Sequence, residues 1–253
     1  MEISEKCVIV TGGAGGIGNK VVEFLLEKNA LVAAVDWNKD GLDILKMRFS
    51  KWGTNLRCYC GNVGDFKFVQ EVAEEVFKQN GKIDVLINNA SILLDAPLIS
   101  LFKGQLKKLA IEDWEKTMAS NLNSVFYFSR EVAEKMILKR TRGVIVNVSS
   151  ISASGNRGQT AYAAAKAGVN ALTTTWASEL ASFGIRVVGV APGMTDTDMP
   201  RNAMPEKILS SWVKQSPAQR MGQPAEIAEG VLFVIANDFF QGRVLEIDGG
   251  LRM

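Results

Sequence analysis

Histidine is absent from all 253 residues. That excludes Ser-His-Asp and Cys-His nucleophile chemistry, imidazole proton shuttling and every His-ligated metal site. Any acid–base catalysis falls instead to Tyr, Lys, Asp, Glu or Cys. Cysteine is scarce as well. Cys7, Cys58 and Cys60 are odd in number, form no CxxC pair and have no second cluster to complete a zinc site, so no metal is expected. Cys58 and Cys60, two apart in an apparent strand, are expected to share a face and serve as small core residues. No apolar stretch approaches the roughly 18 residues needed to span a bilayer. No secretory leader or arginine-rich arm is recognisable, and 29 basic against 27 acidic residues leave a charge of only +2. The expected setting is the reducing cytoplasm, with neither nucleic acid nor membrane as a partner.

What is present is a regular alternation. Short apolar runs at 6–10, 31–35, 56–60, 83–87, 144–148, 185–190 and 244–247 read as buried strands. Between them, helical periodicity is expected from Ile17 to Leu26, over about 39–52, over about 65–79, from Trp114 to Arg130 and over about 160–182. The pattern predicts an α/β fold: a doubly wound parallel sheet of about seven strands with helices on both faces. With no linker, repeat or low-complexity tract, residues 1–253 read as a single domain. Two connections break the rhythm. One covers 91–111; the other covers 194–223, with Met194, Met199, Met204 and Trp212 among polar residues. Long connections in such domains usually serve as lids or binding loops.

Thr11-Gly-Gly-Ala-Gly-Gly-Ile-Gly18 follows the first strand and opens the first helix. Glycines let the backbone turn tightly and approach a pyrophosphate, which then rests on the free N–H groups of the helix start. The second strand ends in Asp36, 24 residues after Gly12. That is about where an acidic residue meets the adenosine ribose of a dinucleotide. A carboxylate there bonds the ribose diol of NAD and repels the extra phosphate of NADP. Lys39 is the only nearby cation, so NAD(H) is the expected cofactor.

Tyr162 and Lys166 lie four apart in an alanine-rich stretch, which places both on one helical face. Ser149 and Ser150 lie upstream at the C-terminal end of a predicted strand, where ligands of open α/β sheets bind. At this point the chain resembles the short-chain dehydrogenase/reductase family over essentially its whole length. The ordered motifs are the turn at Thr11–Gly18, Asn88-Asn-Ala90, Asn121, Ser150, Tyr162, Lys166, and Pro192-Gly193 with Thr197. The resemblance implies a Rossmann fold and a hydride transfer interconverting a ketone and a secondary alcohol.

In that scheme Tyr162 is the general acid of reduction and the general base of oxidation. A free tyrosine titrates near ~10, so Lys166 and the positive nicotinamide are expected to lower it. Lys166 also binds the nicotinamide ribose, Ser150 donates to the substrate oxygen, and Asn121 holds a water that links Lys166 to solvent. Ser150 is preferred over Ser149 by the family's Asn-x-x-Ser pattern, which starts here at Asn147. Cofactor contacts are carried over to Gly12, Gly16, Ile17, Gly18, Asp36, Asn62, Val63, Asn89, Ala90, Tyr162, Lys166, Pro192, Gly193, Thr195 and Thr197. The partners implied are a small carbonyl or alcohol substrate and three further copies of the chain, as a homotetramer.

Residues 155–162 and 192–199 are similar to β-ketoacyl-(acyl-carrier-protein) reductases, and also to sugar, steroid and small-alcohol dehydrogenases. A non-catalytic NAD-binding protein is the alternative from another class; the complete catalytic set speaks against it. Those reductases mostly use NADPH and carry an arginine where Gly15 stands. Asn62 replaces an aspartate, and Ser91 replaces a glycine and is expected to tighten its loop. The 91–111 connection is longer than usual for the family. Within it, 98–109 combine apolar residues with Lys103, Lys107 and Lys108. A short amphipathic helix lying on the protein is expected there; the alternative is a lid for an apolar substrate, its lysines meeting an acidic group or carrier.

Overall fold

A computed structural model describes residues 1–102, 104–203 and 206–252. Seven parallel strands form one sheet: β1 (Cys7–Thr11), β2 (Leu31–Asp36), β3 (Leu56–Cys60), β4 (Val85–Asn88), β7 (Val144–Val148), β8 (Arg186–Pro192) and β9 (Val244–Ile247). Their order is β3-β2-β1-β4-β7-β8-β9. The chain runs outward from β1 in one direction and from β4 in the other. A crevice therefore opens at the C-terminal ends of β1 and β4, where open α/β sheets bind ligands.

The strands are apolar on both sides because helices cover both faces. One face packs Val8, Val10, Val32 and Val146 against Val21, Leu25 and Leu26 of α1 (Gly16–Glu27) and Val231 of α9 (Pro224–Ala236). The other packs Ile9, Val35 and Ile145 against Val69 and Val72 of α3 (Phe66–Asn80) and Phe128 and Val132 of α5 (Ser124–Leu138). Phe128 is fully buried, and truncating such a side chain typically costs about 3–5 kcal/mol. The remaining helices are α2 (Lys39–Arg48), α4 (Ile111–Met118), α6 (Thr160–Glu179), α7 (Asp198–Ala203) and α8 (Glu206–Gln215).

Two departures from the sequence reading have physical causes. The 91–111 connection carries no helix. It holds an antiparallel hairpin of β5 (Ile99–Phe102) and β6 (Gln105–Lys108), turned at Gly104 with φ +77°. Ile99, Leu101 and Leu106 point into solvent, so no core imposes a periodicity. Cys60 is exposed rather than core, because β3 is the edge strand of the sheet; Cys58 is half-buried. The 194–223 connection contains α7 and α8. Lys103 and Met204, singled out in the sequence, lie outside the described residues.

Candidate active site

The glycine turn is fixed by reciprocal bonds to the end of β4. Thr11 Oγ1 accepts from the backbone N–H groups of Asn89 and Ala90, both at 3.0 Å. Asn89 Nδ2 in turn donates to the carbonyls of Thr11 at 3.0 Å and Gly12 at 3.1 Å. Gly12 has φ +66°, and a Cβ there would stand 2.9 Å from Ala90 Cα, so both conformation and space require glycine. A Cβ on Gly16 would collide with the Thr197 side chain, and one on Gly18 with the Gly12 carbonyl.

Asp36 closes this end. Its Oδ2 accepts from Ala14 N at 3.0 Å and its Oδ1 from Asn38 N at 2.9 Å. From here a cavity of about 710 Å³ runs across the C-terminal strand edge to Tyr162 and Lys166. Of the residues expected to hold a cofactor, all but Gly18 line it, and Ser150 lines it as well. Gly18 acts behind the wall, letting α1 pack against the turn. Cavity length, bare glycine backbone and a carboxylate at the strand end fit an elongated dinucleotide.

At the far end, α6 presents Tyr162 and Lys166 on one face. The Lys166 Nζ lies 5.6 Å from the Tyr162 ring centroid and donates to Val148 O at 2.8 Å. Lys166 is 2% exposed, and burial lowers its pKa to about 8. Burial also raises the Tyr162 phenol. The Ser150 and Ser91 hydroxyls beside it pull downward, and the Asp95 carboxylate adds to the rise. Burial is the first cause of both shifts.

Ser150 stands beside the Tyr162 hydroxyl and accepts from Ser152 N at 3.1 Å. Ser149 is differently engaged, donating to the Lys166 carbonyl at 3.3 Å. Asn121 is fully buried outside the cavity wall, in a π-helical turn (Ala119–Asn123) between α4 and α5. Its Oδ1 accepts from Ile92 N and its Nδ2 donates to Ile92 O, both at 2.8 Å. Its side chain thus clamps the loop after β4. π turns of this kind are frequent at functional sites.

Ser91, Ile92 and Leu93, which also line the cavity, open the 91–111 connection expected to serve as a binding loop, whereas Lys116 on α4 and Gln159 just before α6 escaped the sequence reading. Gln159 Nε2 donates to Asp95 at 3.1 Å. Ser91 was marked twice in the sequence, by opening that connection and by replacing the family's glycine.

The comparisons agree with this geometry. Residues 6–207 match the family model described as short chain dehydrogenase. Among curated proteins, the 3-oxoacyl-(acyl-carrier-protein) reductase FabG of Thermotoga maritima is 39% identical over 99% of both chains. The Escherichia coli protein of the same name is 33% identical over the full length of both. Two solved structures superpose closely. One is a 7α-hydroxysteroid dehydrogenase complexed with NADH and 7-oxo glycochenodeoxycholic acid, with a TM-score of 0.90 at 28% identity, covering 99% of this chain and 96% of that one. The other is a putative gluconate dehydrogenase from Agrobacterium tumefaciens, with a TM-score of 0.89 at 27% identity, covering 99% and 97%. This chain belongs to the short-chain dehydrogenase family and is an oxidoreductase acting on a carbonyl or alcohol group.

Proposed function

We propose that the chain is an NAD(H)-dependent reductase whose substrate is a 3-oxoacyl thioester or a ketone of similar apolar character. The observation that carries this reading is one continuous cavity with a carboxylate at one end and the Ser150–Tyr162–Lys166 group at the other. Support for NAD over NADP comes from charge. Among the described residues lining the cavity, Lys116 and Lys166 are the cations, and Asp36 holds the ribose end. The extra phosphate of NADP would meet the Asp36 carboxylate there, with no cation in the cavity lining beside it. Support for an apolar substrate comes from Ile92, Leu93, Ile151, Met194 and Met199 in the wall, which offer little to a sugar.

A bound nicotinamide dinucleotide supplies or accepts the hydride and, when oxidised, brings a positive ring to the site. In reduction, Tyr162 gives its hydroxyl proton to the substrate oxygen while Ser150 donates a hydrogen bond to it. The Lys166 ammonium stabilises the phenolate that remains, and in oxidation the same phenolate takes the proton back. Asp36 and the glycine turn orient the other end, so that the reacting groups meet at a fixed distance.

The test is NADH oxidation across acetoacetyl thioesters, steroid ketones, sugars and small diketones, repeated with NADPH. NADH with the thioester or steroid arm is the expected pair; turnover confined to NADPH or to sugars would overturn the reading. Tyr162→Phe should lose about 10²- to 10⁴-fold in kcat while binding NADH normally by fluorescence titration. Wild-type turnover in that variant would falsify the acid–base assignment.

A further inference from the structure

The Ser91 hydroxyl is a polar group of the cavity that the scheme above leaves unused. Its Oγ is buried without a hydrogen-bond partner of good geometry among the described residues, although Ser91 lines the cavity next to Tyr162. A buried hydroxyl left unpaired costs about 1–3 kcal/mol, so such groups ask for an explanation. The loop offers no easy escape. Ala90 N is held by Thr11 Oγ1 at 3.0 Å, and Ile92 is held through both its N–H and its carbonyl by Asn121 at 2.8 Å. Ser91 is thus fixed from both sides and presents its hydroxyl from the β4 end, while Ser150 approaches from the β7 end.

We propose that Ser91 donates a hydrogen bond to the Tyr162 oxygen when that oxygen carries the negative charge, making with Ser150 a pair of hydroxyls around the phenolate. The inference rests on Tyr162 being the acid–base group. The charges facing Tyr162 are the Lys166 ammonium on its own helix and the Asp95 carboxylate on the loop after β4; Lys116 of α4 and Asp198 of α7 line the same cavity. Lys166 favours the phenolate and Asp95 disfavours it. A second neutral donor opposes burial and Asp95 without bringing another charge into the site. It also persists at alkaline pH, where Lys166, depressed to about 8, gives up its proton. The glycine usual at this position in the family has no such group to offer.

The test is the pH dependence of kcat/KM for alcohol oxidation in Ser91→Ala, Ser91→Gly and Ser91→Thr. The first two should move the limb on which activity rises upward by about 0.5 to 1 pH unit, a three- to tenfold loss below it. The loss should shrink at the alkaline plateau, with NADH binding unchanged, and Ser91→Thr should restore the limb. In a Tyr162→Phe background, Ser91→Ala should cause no further loss. Superimposable profiles, or an equal loss at every pH, would overturn the inference and leave the Tyr162 assignment intact. Wild-type turnover in Tyr162→Phe would remove the assignment itself, whatever Ser91 does.

Discussion

The two ends of the cavity treat their polar groups in opposite ways. At the Asp36 end the named groups are satisfied before any ligand is considered: both carboxylate oxygens and the Thr11 hydroxyl accept backbone N–H groups, and Asn89 returns the bonds. At the Tyr162 end they are short of partners and partly shielded from water. Lys166 is a buried amine that donates to one backbone carbonyl, Tyr162 is pushed away from ionising, and the Ser91 hydroxyl has no partner of good geometry among the described residues. One end is a mould, rigid because its bonds are complete. The other is reactive because its bonds are not. Binding can use a preformed surface, but proton transfer needs groups whose two protonation states lie close in free energy.

The sharpest break of that contrast is Lys166→Met. Turnover should fall by about 10²- to 10⁴-fold, since the phenolate loses its neighbouring charge. Stability should move the other way. Lys166 has a lowered pKa, so the unfolded chain binds more protons between about pH 8 and 10.5, and the burial penalty is present in full below pH 8. Removing the amine should relieve up to about 3 kcal/mol, less the lost bond to Val148 O. Denaturant unfolding at pH 7 should therefore show a variant at least as stable as the parent, the difference narrowing as the pH is raised. A variant much less stable than the parent at pH 7 would mean the site holds no such strain.

Asp36→Asn probes the mould and should act more gently. It keeps an acceptor for the turn but removes the charge, so the preference for NADH over NADPH in kcat/KM should drop by about tenfold or more. The limb set by Tyr162 should stay where it was. Smallest of all is removal of the β5–β6 hairpin, which stands outside both ends. Leu98 O accepts from Leu109 N at 3.1 Å, so a short turn can replace 99–108 without disturbing its base. KM for NADH and for small ketones should change by less than about twofold. A rise confined to long or carrier-bound substrates would assign the hairpin to substrate capture.

The contrast also explains what could be read from residues alone. The sheet, the glycine turn, Asp36 and the Tyr162–Lys166 pair were legible because each rests on local spacing or on apolar runs buried on both faces. The hairpin was not. Leu98, Leu101, Leu106 and Leu109 suggest a helical stripe, but no core faces them, and the Gly104 turn decides the geometry instead. Asn121 was singled out by its motif, but its use of both amide atoms on Ile92 depends on a contact 29 residues away along the chain. The contribution of burial at Tyr162 was out of reach for a similar reason. A four-residue spacing shows a lysine nearby, whereas desolvation depends on everything else that packs around the pair.

Asn88, Asn147 and Thr173 carry a consequence of their own. Asn88 Nδ2 donates to Asn147 Oδ1 at 2.9 Å, and Asn147 Nδ2 donates to Thr173 Oγ1 at 2.9 Å. This ladder, with Asn88 Nδ2 also donating to Ser129 Oγ at 3.0 Å, crosses from β4 through β7 to α6 in a largely apolar interior. Aliphatic side chains tolerate sliding past one another, but amides do not. A slip of one residue between β4 and β7 would turn Asn88 or Asn147 to the other face and strand it among hydrocarbon. The three side chains thus work as a vernier, setting where α6 stops along the sheet and so the height at which Tyr162 meets the crevice.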